Sequence, residues 1–227
     1  MKRRDLLAAA VLPLAGAAGA QDRAQQGRTL PGSPGWPSAE QWQGLSAKVG
    51  GQLVEVRSPL EACRAAPEGE ACARFFREMK NPWAIGDNVA LTQTSGWAGA
   101  WTSQPSAWAV AARHAADVAA AVDFARAHRL RLVVKGGGHS YQGTSNAAGS
   151  LLVWTRPMNR VELHDAFVAQ GCSAAPQPAI SLGAGAVWLH AYAVAASAGR
   201  YVQGGGCATV GVAGLIQSGG FGTFSKR

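Results

Sequence analysis

Lys135-Gly136-Gly137-Gly138-His139-Ser140-Tyr141-Gln142-Gly143 follows a short apolar run, and its reading decides the fold. A second glycine segment lies further along: Gly204-Gly205-Gly206-Cys207-Ala208-Thr209-Val210-Gly211-Val212-Ala213-Gly214. Glycines let backbone N–H groups approach an anion without Cβ interference, and successive N–H groups form a concave nest for phosphate. His139 and Cys207 place two nucleophiles at the rims of these turns. Together the two segments imply a tightly held, phosphate-bearing cofactor.

The common phosphate loops do not fit. A dinucleotide-binding G-x-G-x-x-G must open a helix and be followed by an acidic residue about twenty positions on. Here the first turn runs into Thr144-Ser145-Asn146 and then an apolar strand. No Gly-Lys-Ser/Thr of a P-loop is present. Cysteine nucleophilic chemistry, with His139 as base for Cys207, stays open, although no third orienting group stands out. Metal binding by His139, His114 and His128 has no ligand spacing in its favour.

Outward from these turns the pattern is layered. Val118, Ala121, Val122 and Ala125 recur at helical spacing, with Asp117 near the start and His128-Arg129 near the end. This predicted helix leads into a strand over Leu130–Val134 and the first glycine turn. Further strands are predicted over Ser150–Trp154, Arg160–Leu163 and Ala179–Leu182. A second helix is predicted from Val187 to Ala198, stopped by Gly199, and a short strand, Tyr201-Val202, enters the second turn. Earlier, Ser38 is a candidate cap for a helix to Lys48, stopped by Gly50-Gly51, with a strand at Leu53–Val56. The stretch from Asn81 to Trp108 reads as irregular. Its Trp83, Trp97, Trp101 and Trp108 read as a packed cover over a core. Helices feeding strands that end in polar turns indicate an α+β fold of mixed α/β layers.

The 227 residues are 48% hydrophobic, enough for a sizeable core. Lys2, Arg3 and Arg4 precede the apolar stretch from Leu6 to Ala18 and the small-residue triplet Ala18-Gly19-Ala20, the pattern of an export signal over residues 1–20. Paired arginines favour the twin-arginine route over an ordinary secretory signal, and a periplasmic or secreted destination is expected. Removing that segment takes three positive charges and one negative from the net +8, leaving +6. The remaining basic residues are scattered, without the aromatic-interleaved stripe of a nucleic-acid binder, so no nucleic-acid partner is expected. No other segment approaches the roughly 20 apolar residues of a membrane span. Cys63 and Cys72 could close a disulfide loop or stand as independent thiols, and Cys172 carries no assigned role.

The motifs, taken together and in order, resemble the vanillyl-alcohol-oxidase-type flavoproteins, whose FAD-binding domain is also called PCMH-type. The resemblance is nearest to the berberine-bridge-enzyme-like oxidases. It rests on Asp117-Val118, Val133-Val134, Gly137-Gly138-His139-Ser140, Gly206-Cys207, Thr209-Val210-Gly211-Val212, Gly214 and Gly219-Gly220-Phe221-Gly222. It implies FAD with its pyrophosphate over the first turn, held by Gly136, Gly137, Gly138, His139, Ser140, Gly143, Gly206, Cys207, Thr209, Val210, Gly211 and Gly214. It further implies two covalent links, His139 to the flavin 8α-methyl and Cys207 to ring carbon 6. Two positions depart from the family pattern: Leu215 replaces a frequent histidine, and Ala213 a common glycine.

On this reading residues 1–20 are the signal, 21–102 a lead-in, and 103–227 the first part of an FAD-binding PCMH-type domain. That domain is expected to be incomplete at its C-terminal end, the chain being either a fragment or a natural truncation. The implied activity is hydride transfer from a C–H bond of an alcohol or sugar-like small molecule to flavin, with reoxidation by dioxygen or another acceptor. No general base is assigned, because the family's substrate-side residues lie beyond this stretch. Two rivals remain: a non-catalytic flavin-binding remnant, and a secreted module holding another phosphate ligand.

Overall fold

The computed structural model describes residues 27–222 and Phe224. The expected export signal therefore lies outside the described residues. Helix α1, Ala39–Lys48, begins where Ser38 was expected to cap it: the Ser38 side chain accepts from Gln41 N–H, and the Gln41 side chain accepts from Ser38 N–H. This reciprocal pairing satisfies two donors that a helix start leaves open. Val49 and the positive-φ pair Gly50-Gly51 end the helix and turn the chain into strand β1, Leu53–Glu55. Two short helices follow, α2 (Leu60–Ala65) and α3 (Glu70–Glu78), joined by the Cys63–Cys72 disulfide. The bond settles the two readings of that cysteine pair.

The stretch expected to be irregular holds helix α4, Pro82–Gly86, capped by the Asn81 side chain, and a minimal hairpin, β2 (Gly96–Trp97) with β3 (Trp101–Thr102). Its tryptophans do not act as one cover. Trp108 opens strand β4, Trp108–Ala111, and stacks on Trp42 of α1 at 4.9 Å between ring centroids. Trp97 stays more than half exposed.

Helix α5, Ala115–Ala127, is entered through Asp117, whose buried carboxylate accepts from the N–H groups of Arg113 and His114. Its core face is narrower than the sequence spacing indicated. Ala121 and Ala125 are buried, but Val122 is 40% exposed on the flank. Strand β5 follows at Arg131–Lys135, one residue later than predicted, because Arg129 takes a positive φ and Leu130 completes the turn. Strand β6 spans Ser150–Trp154.

These strands form a sheet ordered β1-β4-β6-β5, with β4, β6 and β5 parallel and β1 antiparallel at one edge. Alternation along the strands fills both faces. Val110, Leu151 and Val153 meet Trp42, Leu45, Ala121 and Ala125 on the helical side. Ala109, Val133 and Leu152 pack with Ala147, Val56 and Val89 on the other.

A second unit is the antiparallel pair β7 (Val161–Phe167) and β8 (Gln177–Leu182), both longer than predicted. Helix α6, Trp188–Ser197, packs on it through Trp188 and Ala191, and Gly199 supplies the positive φ that stops the helix. Tyr201-Val202 is not a strand: its neighbours offer no ladder, and the chain passes directly into the second glycine turn. Helix α7, Val212–Gln217, follows that turn. Among the described residues no helix is long and apolar enough to cross a membrane.

Leu151 sits at the centre of the helical face with no solvent exposure. Leu151→Ala is expected to cost about 3 kcal/mol, transfer and cavity terms together, read as a fall in the urea midpoint at unchanged slope.

Candidate functional site

Strand β5 delivers the first glycine turn, and the second turn reaches the same place by a different route. Residues 204–211 lie against the start of α6: Trp188 N–H donates to Val210 O at 3.1 Å, Leu189 N–H to Ala208 O at 3.1 Å, and Val212 N–H to Ala186 O at 2.9 Å. Gly204 and Gly205 lie flat on the Trp188 ring, which occupies the space a Cβ would need.

The two turns then touch backbone to backbone. A Cβ on Gly137 would stand 2.6 Å from the nitrogen of Gly211 and 2.7 Å from the carbonyl oxygen of Thr209. A Cβ on Gly211 would stand 2.8 Å from the nitrogen of Gly137. No real Cβ contact is that short, so glycine is required on both sides of the junction. Gly206 and Gly214 differ: a Cβ there would meet nothing within 4 Å.

Side chains reinforce the junction. His139 Nε2 lies 3.0 Å from the buried Thr209 Oγ1, which brings the imidazole into the turn that carries Cys207. Burial holds His139 below its ordinary value of 6.5, partly offset by a hydrogen bond with the Thr209 backbone, so the neutral ring with a free lone pair is favoured. Cys207 is an exposed free thiol. Ser140 Oγ accepts from the N–H groups of Gln142 and Thr144 and shapes the outer half of the first turn. Gly143, with φ +70°, closes that turn beneath the Trp101 ring.

What the turns leave unpaired indicates what they can hold. The N–H groups from Gly136 to Tyr141 donate to no protein acceptor among the described residues, and neither do those of Gly206, Cys207 and Ala208. Gly137 and Gly138 are nevertheless buried. Buried backbone donors are seldom left without a partner, and consecutive free N–H groups suit an anion such as a pyrophosphate. A set of unpartnered backbone donors on two adjoining glycine turns therefore fits a phosphate-bearing dinucleotide cofactor.

Three site features carried no assignment in the sequence. Lys135 is buried, its ammonium donates to backbone carbonyls of residues 88–91, and burial pushes its pKa down to about 7. Trp101 Nε1 donates to the Tyr141 carbonyl at 3.0 Å. Arg156 donates to Asp87 at 2.8 Å and to the Gly185 carbonyl at 3.2 Å, tying the sheet to the loop before α6. A lysine closing an otherwise apolar strand was a legible signal of an unusual role. The other two contacts span long stretches of chain and left no local signature.

Residues 106–227 match the family model described as FAD binding domain. The chain belongs to this family of VAO-type flavoproteins. The VAO-type flavoprotein oxidase VAO615 of Thermothelomyces thermophilus is 32% identical over 85% of this chain and 36% of its own length. The bifunctional decalin synthase calF of Penicillium decumbens is also 32% identical, over 85% of this chain and 36% of its own. The crystal structure of VAO-type flavoprotein MtVAO615 from Myceliophthora thermophila C1 superposes with a TM-score of 0.74 at 31% identity, over 87% of this chain and 39% of that one. The chain thus spans little more than a third of the length of the VAO-type relatives it matches. The α+β FAD-binding PCMH-type fold, and FAD as the cofactor, follow from this membership.

Gly137→Ala is expected to force the turns apart and cost about 1–3 kcal/mol, whereas Gly206→Ala leaves the melting temperature unchanged; thermal denaturation compares the two. Because the folded His139 is held below 6.5, the unfolded chain takes up its proton first on acidification. Stability is therefore expected to fall as the pH drops below 6.5, and His139→Gln to flatten that decline in urea titrations at successive pH values.

Proposed function

We propose that this chain is the FAD-holding part of an exported oxidoreductase that removes a hydride from a C–H bond of an alcohol or sugar-like small molecule. The observation that carries the reading is the junction of the two glycine turns, with His139 bonded to Thr209 two residues from Cys207. The paired arginines and apolar stretch at the N-terminus support export to the periplasm or beyond.

In this reading the free N–H groups of Gly136, Gly137, Gly138, His139 and Ser140 bind the pyrophosphate, and Gly143 lets the turn close. Gly206, Cys207, Thr209, Val210, Gly211 and Gly214 line the other side. Bound FAD supplies a two-electron acceptor that no amino-acid side chain provides. Two protein atoms are proposed to anchor it covalently: an imidazole nitrogen of His139 to the 8α-methyl and Cys207 Sγ to ring carbon 6.

The environment suits both roles. Burial keeps His139 neutral and so nucleophilic near neutral pH, while Thr209 holds the ring in one orientation. Cys207 stands on a turn with open space around Gly206, so its sulfur can be approached without moving the backbone. Two anchors would fix the flavin at one edge and leave the opposite face to a bulky substrate.

The full-length protein, precipitated in acid and washed, is expected to keep its yellow colour with the polypeptide. The doubly substituted His139→Ala, Cys207→Ala protein is expected to lose that colour under the same treatment. A colour retained by the double variant would remove both assignments. Peroxide release with a panel of alcohols and sugars then reports whether dioxygen is the acceptor.

A further inference from the structure

Lys135 closes an apolar strand with a charge that is only 2% exposed. Burying an ammonium is expensive, and methionine or leucine would fill such a place at less cost. Among the described residues it forms no ion pair. Instead its Nζ donates to the carbonyls of Val89 at 2.5 Å and Leu91 at 2.8 Å, with Asn88 O at 3.4 Å. All of its side-chain hydrogen bonding goes to one loop.

That loop leads straight to the first glycine turn. Gln93 N–H donates to Gly138 O at 3.0 Å. Asn146 Nδ2 donates to Ala90 O at 3.0 Å, and the Trp101 ring covers Gly143 while its Nε1 donates to Tyr141 O. Residues 88–101 thus cross the turn as a strap, tied at its start, middle and end. All of them precede the stretch matched by the FAD-binding-domain model, which begins at residue 106.

The consequence follows from peptide geometry. A trans peptide is planar, so its carbonyl and its N–H point in opposite directions. Holding the Gly138 carbonyl against the strap aims the N–H of His139 away from it, and that N–H has no protein acceptor. We propose that Lys135 is a positioning residue of the FAD site: it clasps residues 88–101 as a strap against the first glycine turn, so that the turn's free donors face the pyrophosphate. This rests on the FAD reading given above.

The test uses the full-length protein carrying His139→Ala and Cys207→Ala, so that FAD exchanges and its dissociation constant can be measured by titration calorimetry. Adding Lys135→Met is expected to weaken FAD binding about tenfold, because the strap carbonyls lose their donor, and Lys135→Arg to recover most of that loss. Trp101→Phe, which removes the bond to Tyr141 O and trims the ring over Gly143, is expected to weaken binding about threefold. A merely structural lysine would lower the melting temperature of the FAD-free protein and leave the dissociation constant of the folded protein unchanged. That result with Lys135→Met overturns the proposal. Should Lys135→Met not fold, an unchanged dissociation constant in Trp101→Phe overturns it equally. Absence of FAD binding in the unsubstituted protein as well would instead reject the FAD reading, and the strap's role with it.

Discussion

Close contact between two stretches of bare backbone governs this molecule. Gly137 meets Gly211 and the Thr209 carbonyl at a separation that leaves no room for any side-chain atom. Such proximity is available only to glycine, and it fuses two turns from different parts of the fold into one surface. Everything else at the site is arranged around that junction. Sheet β1-β4-β6-β5 fixes the first turn, and the β7–β8 pair with α6 fixes the second. Arg156 joins the two units through Asp87 and the Gly185 carbonyl.

Polar groups at the junction follow a consistent division of labour. Two carbonyls of the first turn are tied down: Gly138 by Gln93 N–H, Tyr141 by the Trp101 indole. The N–H groups from Gly136 to Tyr141 donate to no protein acceptor among the described residues. A surface that ties down carbonyls and spares its donors presents partial positive charge. Rigidity comes from the satisfied half and binding capacity from the spared half. The buried ammonium of Lys135 donates to the loop whose Gln93 N–H holds the Gly138 carbonyl.

Sequence periodicity carried the regular elements well because their physics is local. Ser38 and Gln41 form the cap that starts α1, Asp117 caps α5, and Gly199 ends α6. The misreadings also have local causes. Val122 fits the helical period yet stays 40% exposed, since α5 turns Val118, Ala121, Phe124 and Ala125 to the core. Tyr201-Val202 has strand-forming residues but lies outside the strands, because propensity alone does not set strand pairing. Trp97 and Trp108 look alike in a tryptophan-rich stretch, but one ends on an exposed hairpin and the other in a sheet facing Trp42.

By itself the sequence determined the kind of chemistry: glycine runs suited to cradle an anion, a histidine and a cysteine beside them, and the order of motifs that marks a VAO-type flavoprotein. Those are properties of residue type and short spacing, which the chain carries wherever it is placed. Only the tertiary structure decided that the two cradles abut, that His139 leans on Thr209, and that Lys135 and Trp101 bind residues 88–101 across the first turn. These are contacts between stretches of chain brought together by the burial of two separate cores, and no local pattern encodes which distant backbone carbonyl a buried ammonium will find.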